Sequence, residues 1–290
     1  MKEAILYSKL DDGKVKCAVC NHRCTIAEGK RGICGVRENQ QGKLFALNYG
    51  KAITVNIDPI EKKPLYHFLP GTKIYSFAAV GCNFRCTWCQ NWEISQSPKP
   101  NKPIEGISVS PEEHVKRALQ YACPSIAYTY SEPTIFVEYA LDTMVLARKE
   151  GLKNVWVTNG YMSRETLEVI IPYLDAANVD YKGPNDNVYE EYCGARAEPI
   201  MENLKYLCRE GVHVEITTLV VPGINDKPVQ LEKIAKFIAD ELGTDVPWHI
   251  SRFFPAWKML NTPITPLETL ETAKIIGENA GLKHVHLGNV

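Results

Sequence analysis

Three cysteines within eight residues are the strongest chemical signal in the sequence. Cys82, Cys86 and Cys89 have the spacing Cx3Cx2C, in a loop that follows a predicted strand. Three thiolates so spaced can bind three of the four irons of a cubane iron–sulfur cluster, which otherwise takes four cysteine ligands. One iron then stays open to a small molecule, so we expect a catalytic cluster and not a simple electron carrier. The alternatives are a zinc knuckle and buried cysteines without chemical function.

A second group of soft ligands lies near the N-terminus. Cys17, Cys20, Cys24 and Cys34, with His22 among them, fall within 18 residues. They predict a tetrahedral zinc site or a second iron–sulfur cluster, and the spacing does not choose between the two. The surrounding segment is rich in glycine and poor in apolar residues, so a metal would supply folding energy that its core lacks. Disulfides are the alternative. The other cysteines lie singly in or beside predicted helices and are interpreted as small buried side chains: Cys123, Cys193 and Cys208.

Composition limits the classes of function that remain. The 290 residues are 45% hydrophobic and 23% charged, which excludes a disordered, collagen-like or coiled-coil protein. Lys plus Arg number 33 against 34 acidic residues, so the net charge is 33 − 34 = −1 and gives no footprint for duplex DNA or an anionic membrane. We find no apolar run near the roughly 20 residues of a membrane span and no secretory signal. The expected location is the cytoplasm, where cysteines more often bind metals than form disulfides.

The elements that must position these residues begin after a change of composition near Gly71. Residues 1–70 are predicted to form a cysteine-rich metal-binding region that ends in a lid segment, which begins at Asp58. Residues 71–290 are predicted to form a single α/β domain. Predicted strands cover 74–80, 125–130, 154–159, 178–182, 212–221, 248–254 and 284–288. Predicted helices follow Ser110 and Ser163 as N-caps and cover 133–150, 198–211, 228–242 and 266–280. This alternation predicts a partial or full (β/α) barrel of parallel strands, with its site at their carboxyl ends.

The sequence resembles the radical S-adenosylmethionine (SAM) superfamily, whose Cx3CxΦC motif has an aromatic residue that Trp88 supplies. Within that superfamily it resembles the activating enzyme of pyruvate formate-lyase and, more closely, the radical SAM member of the AmmeMemoRadiSam system. The segments that carry the narrower resemblance span most of the chain: DPIEKKPLYHFLPG (58–71), GCNFRCTWCQNWEISQ (81–96), YSEPTIFVEY (130–139), VTNGYM (157–162), DYKG (180–183), VVPGIND (220–226) and RFFP (252–255).

The resemblance implies a fold of the radical SAM type with the cysteine-rich region as an extension, and it implies the cofactors. Cys82, Cys86 and Cys89 would hold a [4Fe-4S] cluster, and SAM would chelate the open iron through its amino and carboxylate groups. An electron from a donor such as ferredoxin or flavodoxin would allow SAM to be split into methionine and a 5′-deoxyadenosyl radical. That radical would take a hydrogen atom from an unidentified substrate. If the protein acts as the activating enzymes do, the substrate is a glycyl residue of a partner enzyme, but a peptide, a nucleic acid or a small molecule is also compatible with the sequence.

The resemblance also assigns SAM contacts at the ends of the second and third strands of the predicted barrel. Glu132 keeps the carboxylate of a Gly-Gly-Glu motif that binds the SAM amino group, whereas Ser131 departs from its glycine. The alternative for Glu132 is that it only opens a helix. Thr158 and Asn159 match the family's Thr-Asn-Gly, although a plain strand-to-helix turn uses similar residues.

Later strands supply further candidates. Asp180 and Lys182 match an Asp-Leu-Lys motif whose lysine approaches the SAM carboxylate, and a structural ion pair between the two is the alternative. His249 and Arg252 are weaker candidates, since a core histidine is at least as common as a ligand. Two further histidines, His284 and His286, are interpreted as structural. Three residues of the lid segment have no assigned role: Lys62, Lys63 and His67.

Two rival functions compete with a radical SAM oxidoreductase. One is a metal-stabilised binding or electron-transfer module that does not cleave SAM. The other is RNA binding by the N-terminal knuckle, which is locally basic at Arg23, Lys30, Arg31 and Arg37 but belongs to a neutral chain.

Overall fold

The computed structural model, which describes every residue except Lys99 and Asn101, divides the chain into two units. Unit 1 consists of Met1–Asn83 with Asn91–Ala177, and unit 2 of Phe84–Gln90 with Asn178–Val290. The division passes through the Cx3Cx2C loop, because Cys82 belongs to unit 1 and the two later cysteines to unit 2. The domain boundary expected at Gly71 does not coincide with it and stays a prediction.

Unit 1 combines a set of parallel strands with shorter antiparallel ones. Its strands are β1 (Lys2–Glu3), β2 (Tyr7–Lys9), β3 (Val15–Cys17), β4 (Thr25–Ile26), β5 (Arg37–Gln40), β6 (Lys43–Ala46), β7 (Lys51–Ala52), β8 (Thr54–Pro59), β9 (Lys73–Ala78), β10 (Ile107–Ser108), β11 (Ser125–Tyr128) and β12 (Lys153–Thr158). Its helices are α1 (Trp92–Ser95), α2 (Pro111–Gln120), α3 (Val137–Lys149) and α4 (Arg164–Ile170). Strands β9, β11 and β12 are parallel, and β8 pairs antiparallel with β9. Almost every side chain of β9 and β11 is buried, as expected for parallel strands covered on both faces.

Short antiparallel strands carry the N-terminal cysteine group. Strands β2, β3 and β4 form one small sheet, and β1, β6 and β5 form another. The hairpin between β5 and β6 turns at Gln41 and Gly42, whose φ angles of 55° and 72° suit a type I′ turn. Strands this short carry too little alternation to be recognised in the sequence, which predicted only the lack of helices here.

Side-chain caps begin two helices where the sequence predicts them. Ser110 Oγ accepts a hydrogen bond from the N–H of Glu113 (3.2 Å) at the start of α2, and Ser163 Oγ accepts one from the N–H of Thr166 (3.1 Å) at the start of α4. Such bonds satisfy N–H groups that the first turn of a helix leaves without partners. The helix predicted from residue 133 opens with a 3-10 turn, Pro133–Phe136, before α3.

Unit 2 continues the alternation of strands and helices. Its strands are β13 (Ala176–Asp180, whose first two residues belong to unit 1), β14 (His213–Val220), β15 (Trp248–Arg252) and β16 (Val285–Gly288). Its helices are α5 (Asp186–Tyr192), α6 (Glu198–Arg209), α7 (Pro228–Phe237) and α8 (Leu267–Asn279). The strands are neighbours in that order, and β14, β15 and β16 pair in parallel. The short polar helix α5 was not predicted, and the predicted helix 228–242 ends as the π-helical turn Ile238–Leu242.

Both units confirm the α/β class with parallel strands that the sequence predicts. Within residues 1–98, 100 and 102–290, no helix is long and apolar enough to cross a membrane.

Candidate functional site

The carboxylate of Glu132 joins the ends of β11 and β12 in unit 1. Its Oε1 accepts hydrogen bonds from Thr134 N–H (3.0 Å), Thr134 Oγ1 (2.6 Å) and Thr158 Oγ1 (2.7 Å), and its Oε2 accepts one from Asn159 N–H (2.8 Å). Burial raises the pKa of the Glu132 carboxyl, and these donors oppose that rise. The cap on the 3-10 turn is the structural role considered for Glu132 above. Each carboxylate oxygen has two lone pairs, and Oε2 accepts only one of these four hydrogen bonds, so one position on Oε2 remains for a ligand.

Asn159 connects the end of β12 to the first cysteine of the triplet. Its Nδ2 donates to Asn83 Oδ1 (2.7 Å) and lies 3.9 Å from Cys82 Sγ, while its Oδ1 accepts from Tyr161 N–H (3.0 Å). Both asparagines are buried, Asn83 with 1% and Asn159 with 6% of their surface exposed. Asn83, which sequence reasoning missed, therefore fixes the predicted contact residue beside Cys82.

The hydroxyl of Ser131 explains how serine replaces the family's glycine. Ser131 Oγ donates to the carbonyl of Ala79 (2.6 Å), a residue that follows β9, so the side chain is held away from β12. The preceding residue, Tyr130, takes a left-handed φ of 63°, which is uncommon for residues other than glycine. Its carbonyl accepts a hydrogen bond from Asn91 Nδ2 (2.8 Å). The turn that leads to Glu132 is thus fixed on both sides.

The lid segment packs into unit 1 and is not a solvated linker. Lys63 is 3% exposed, and its Nζ lies 2.7 Å from Asp58 Oδ2 and 4.3 Å from the centre of the Tyr130 ring. Tyr130 also donates its hydroxyl to Asp58 Oδ2 (2.6 Å). Burial lowers the pKa of Lys63, and the Asp58 carboxylate opposes that shift. Ile60 and Leu65 of the same segment are fully buried in a cluster with residues of β9, β11 and β12.

In unit 2, backbone hydrogen bonds attach the second half of the cysteine loop to the end of α5. Arg85 N–H donates to Cys193 O (2.9 Å), and Thr87 N–H donates to Tyr192 O (3.0 Å). Trp88, a predicted cofactor contact, is 3% exposed and stacks on Tyr192 with ring centres 5.8 Å apart. Trp88 therefore has a packing role here, and its contact with a cofactor stays a prediction.

Cys86 and Lys182 are electrostatically linked within unit 2. A hydrogen bond with Cys193 and the charge of Lys182 lower the pKa of the Cys86 thiol, against the effect of burial. Burial disfavours the ammonium of Lys182, but Asp180 and the two cysteines raise its pKa well above the usual value. Lys182 Nζ lies 2.9 Å from Asp180 Oδ2, so the ion pair considered above is present. Asn225, in the PGIND turn, also donates its Nδ2 to the Lys182 carbonyl (2.8 Å).

His249 is paired with a carboxylate that sequence reasoning missed. Its Nε2 lies 2.6 Å from Glu215 Oε2, and the other oxygen of this fully buried carboxylate lies 3.0 Å from His213 Nε2. The His249 ring also stacks on His286, with ring centres 5.2 Å apart. These contacts favour the core-histidine interpretation. An acidic residue within the apolar strand 212–221 was the signal that could have identified Glu215.

The Arg252 side chain has its contacts within unit 2. Its Nε donates to the carbonyl of Thr265 (2.8 Å), and its guanidinium lies 5.6 Å from the centre of the Phe254 ring. A role for Arg252 at the adenosine end of SAM stays a prediction.

The four N-terminal cysteines line one cavity in unit 1. Arg37, Asn83 and His22 line the same cavity. None of the ten cysteines, all of which the structure describes, forms a disulfide, which contradicts the disulfide alternative. Burial raises the pKa of each of the four thiols. In the part of the chain that the structure describes, no three His, Cys, Asp or Glu side chains already form a ligand set for a metal ion. The case for a metal at either cysteine group therefore depends on the kinds of side chain present and on their surroundings, and not on a ligand set that is already formed.

Gly81 lies where the backbone before Cys82 meets the N-terminal region. Its φ is 104°, a left-handed value that suits glycine. A Cβ placed there would lie 2.9 Å from the Cys34 carbonyl oxygen and 2.9 Å from a methyl group of Val36. Only glycine fits this approach without a backbone shift.

Comparison with known proteins places these residues in a family context. The sequence model of the radical SAM superfamily matches residues 78–238, which include the Cx3Cx2C loop and the strand ends that follow it. An uncharacterised protein of Methanocaldococcus jannaschii is 48% identical over 290 residues, which are 100% of this chain and 86% of that protein. The pyruvate formate-lyase 1-activating enzyme of Escherichia coli is 25% identical over 179 residues, 59% of this chain and 70% of that enzyme.

Solved structures share the fold. The structure of a radical SAM methyltransferase from Sphaerobacter thermophilus covers 77% of this chain, and the match covers 68% of the methyltransferase chain. The TM-score is 0.58 and the sequence identity is 15%. SuiB of Streptococcus suis, bound to its precursor peptide SuiA, matches 74% of this chain and 48% of its own with a TM-score of 0.58 at 11% identity.

Proposed function

Because the chain belongs to the radical SAM superfamily, we propose that it is an enzyme that cleaves SAM reductively and removes a hydrogen atom from a protein substrate. When bound, the cofactors supply the radical chemistry, in which an electron from a [4Fe-4S] cluster splits SAM into methionine and a 5′-deoxyadenosyl radical. The observation that carries this proposal is the Cx3Cx2C motif, which lies directly after β9 and within the family match.

The donor set fits such a cluster. Cys82, Cys86 and Cys89 are half-buried, so an iron that they hold remains accessible to a ligand. A hydrogen bond with Cys193 and the charge of Lys182 lower the pKa of the Cys86 thiol and so favour its thiolate form, which is the form that binds metal. Together these features support a cluster with one open iron.

Residues at the strand ends are proposed to orient SAM. Glu132 would accept the SAM amino group at the remaining position of its Oε2, because its other acceptor positions are occupied. Lys182 would bind the SAM carboxylate, since its ammonium is the charge complement of that group. Asn159 would hold the backbone beside Cys82 in place. Each of these roles serves positioning and leaves the hydrogen transfer to the cofactor.

The substrate is proposed from the relatives. The pyruvate formate-lyase 1-activating enzyme carries in its name an action on another enzyme, and it matches 59% of this chain. The proposed substrate is a glycyl residue of another protein, whose α-carbon would lose one hydrogen atom to the bound cofactor and become a radical, with 5′-deoxyadenosine as the other product. One electron per turnover comes from a ferredoxin or flavodoxin, and the reaction takes place in the cytoplasm. We assign the protein to the AmmeMemoRadiSam type on the segments that extend through the whole chain.

An anaerobic assay of the reconstituted protein tests SAM cleavage. We expect the dithionite-reduced protein to form 5′-deoxyadenosine from SAM and expect Cys86→Ala to form none. The matched control is Cys208→Ala in α6, which removes a thiol outside the motif and should retain activity. Equal activity in the Cys86→Ala variant, or no product from a protein loaded with four irons, would show that the triplet serves a binding or electron-transfer module.

Isotope transfer tests the protein substrate. Proteins from cells grown on α-deuterated glycine should transfer deuterium to 5′-deoxyadenosine, as measured by mass spectrometry, and should develop the electron paramagnetic resonance signal of a carbon radical. Transfer only from the small-molecule fraction would contradict a protein substrate while leaving SAM cleavage intact.

A further inference from the structure

We propose that Cys17, Cys20, Cys24 and Cys34 bind one zinc ion, and that this ion fixes the loop that follows β12. The four cysteines line a single cavity of about 10 Å³. A space of this size holds about one water-sized sphere. One metal ion fits this space, so binding of a single zinc ion needs less rearrangement of the cysteines than binding of a cubane of four irons and four sulfides would.

The number and type of donors favour zinc. Four thiolates around one ion give the closed tetrahedral arrangement of structural zinc sites, which leaves no position for a substrate. Cys17, Cys20 and Cys34 are each 8% exposed or less, so the proposed ion is shielded from solvent. The sulfurs of the described residues do not yet form a ligand set, so binding requires the four cysteine side chains to move closer together.

Two buried N–H donors complement a negatively charged metal site. The Nε of Arg37 and the Nδ2 of Asn83 have no hydrogen-bond partner among the described residues, and both side chains line the cavity and are 1% exposed. A buried donor without a partner costs about 1–3 kcal/mol. Four thiolates and Zn²⁺ carry a net charge of −2, and their sulfurs accept such donors. A bound zinc thereby explains two groups that are otherwise unsatisfied.

Backbone contacts connect the proposed zinc site to the candidate SAM site within unit 1. Cys20 forms an antiparallel bridge with Met162, and Asn21 donates its N–H to Tyr161 O (3.1 Å) and its Nδ2 to Met162 O (2.7 Å). Tyr161 and Met162 follow Asn159 by two and three residues. The His22 ring nitrogen Nε2 also lies 2.8 Å from the carbonyl oxygen of Asn83. The segment Cys20–His22 thus contacts both the residues that follow Asn159 and the backbone of Asn83. The proposed zinc site therefore positions the contact between Asn159 and Asn83.

Elemental analysis of the full-length protein tests the metal. A Cys86→Ala/Cys89→Ala variant, which cannot hold the cluster, should contain one zinc per chain and no iron. Replacement of Cys17 and Cys34 by serine in that background should remove the zinc, whereas the matched replacement of Cys123 and Cys208 should retain it. Iron at the N-terminal cysteines, or no metal there, would overturn the proposal.

X-ray absorption at the zinc edge keeps the test independent of whether the serine variants fold. We expect four sulfur neighbours at about 2.3 Å, and fewer than four would contradict the assigned ligands. Amide hydrogen exchange tests the positioning role. Removal of zinc from the same variant should accelerate exchange in residues 159–163 and leave α2 unchanged. Equal exchange with and without zinc would refute that role. Because neither measurement uses SAM cleavage, failure here is distinct from failure of the proposed function.

Discussion

The two cysteine groups of this chain differ in access. Three of the four N-terminal cysteines are almost fully buried, whereas all three cysteines of the triplet are half-buried. The first group has four thiols around a cavity with room for one ion, and the second has three thiols and therefore one vacant ligand position. Closed sites with four protein ligands stabilise folds, and sites that leave a position open perform chemistry. Under the two proposals made above, burial and ligand count give the first cysteine group a structural use and the second a catalytic use.

The charges around the two groups follow the same division. Arg37, which lines the N-terminal cavity, is paired bidentately with Glu138 in a fully buried ion pair. Lys182, beside Cys86, is paired with an Asp180 side chain that is 42% exposed. Removal of one partner from a fully buried pair leaves the other charge unpaired and buried, which strongly destabilises the protein. When the remaining charge is exposed, as that of Asp180 is, water solvates it and the loss of stability is small. Changes near the first group should therefore reduce stability, and changes near the second should reduce cofactor binding.

The largest expected effect is that of Arg37→Met. This change leaves the Glu138 carboxylate buried without its partner and should lower the free energy of unfolding by about 3–5 kcal/mol. Chemical denaturation of the full-length protein measures it. The matched control is Lys153→Met, whose pair with Asp175 has a 50% exposed lysine and should cost less than about 1 kcal/mol. Equal losses in the two variants would contradict the contrast in burial.

A smaller effect, on SAM binding and not on stability, is expected for Lys182→Met. Loss of the ammonium removes a charged hydrogen bond worth about 1.5–3 kcal/mol, which corresponds to a Kd for SAM weakened about 10- to 150-fold. The free energy of unfolding should stay within about 0.5 kcal/mol, because water still solvates Asp180. Anaerobic equilibrium dialysis measures the Kd, and Lys205→Met on α6 is the control. An unchanged Kd would reduce Lys182 to a structural ion pair.

The smallest expected effect concerns an exposed ion pair of the N-terminal region, between Arg23 and Glu165. Arg23, between Cys20 and Cys24, donates two hydrogen bonds of 2.6 Å to Glu165 on α4, and these lower the pKa of Glu165 to about 2. Because both side chains are more than one-third exposed, the pair should stabilise by less than about 1 kcal/mol.

The folded-state pKa of Glu165 lies below its unfolded value, so this contribution is present above the usual glutamate pKa and is lost as the pH falls toward about 2. Thermal unfolding of the protein and of Glu165→Gln between pH 6 and pH 3 measures the difference, since both lose metal equally in acid. A difference that grows on acidification would contradict the direction of the shift.

Local signals account for the parts of the fold that could be predicted. Ser110 and Ser163 begin α2 and α4 because a cap depends only on the next three residues. The N-terminal sheets escaped prediction because strands of two to four residues are too short to show an alternating pattern, and β1 has its partner β6 some forty residues away. The helix α5 escaped because it is only seven residues long, and its one buried face consists of Val188 and Tyr189 within a mostly polar sequence.

The candidate site shows the same limit. The residue types at the strand ends were evident, but their partners were not, because those pairs form only after folding. Glu215 is 34 residues from His249, and Arg37 is 101 residues from Glu138. The first of these pairs favours a core role for His249, and the second supplies a charge beside the N-terminal cavity. Sequence reasoning therefore identified the residues and left their surroundings to the structure.

Gly81 has a practical consequence for anyone who wishes to shorten the protein. The Cys34 carbonyl and Val36 form the wall against which the turn before Cys82 is shaped. A version trimmed to the family match at residue 78 would keep the cysteine triplet but lose that wall, together with the Arg37 partner of Glu138. We therefore expect the first forty residues to shape the turn before Cys82, and a shortened version of the protein should include them.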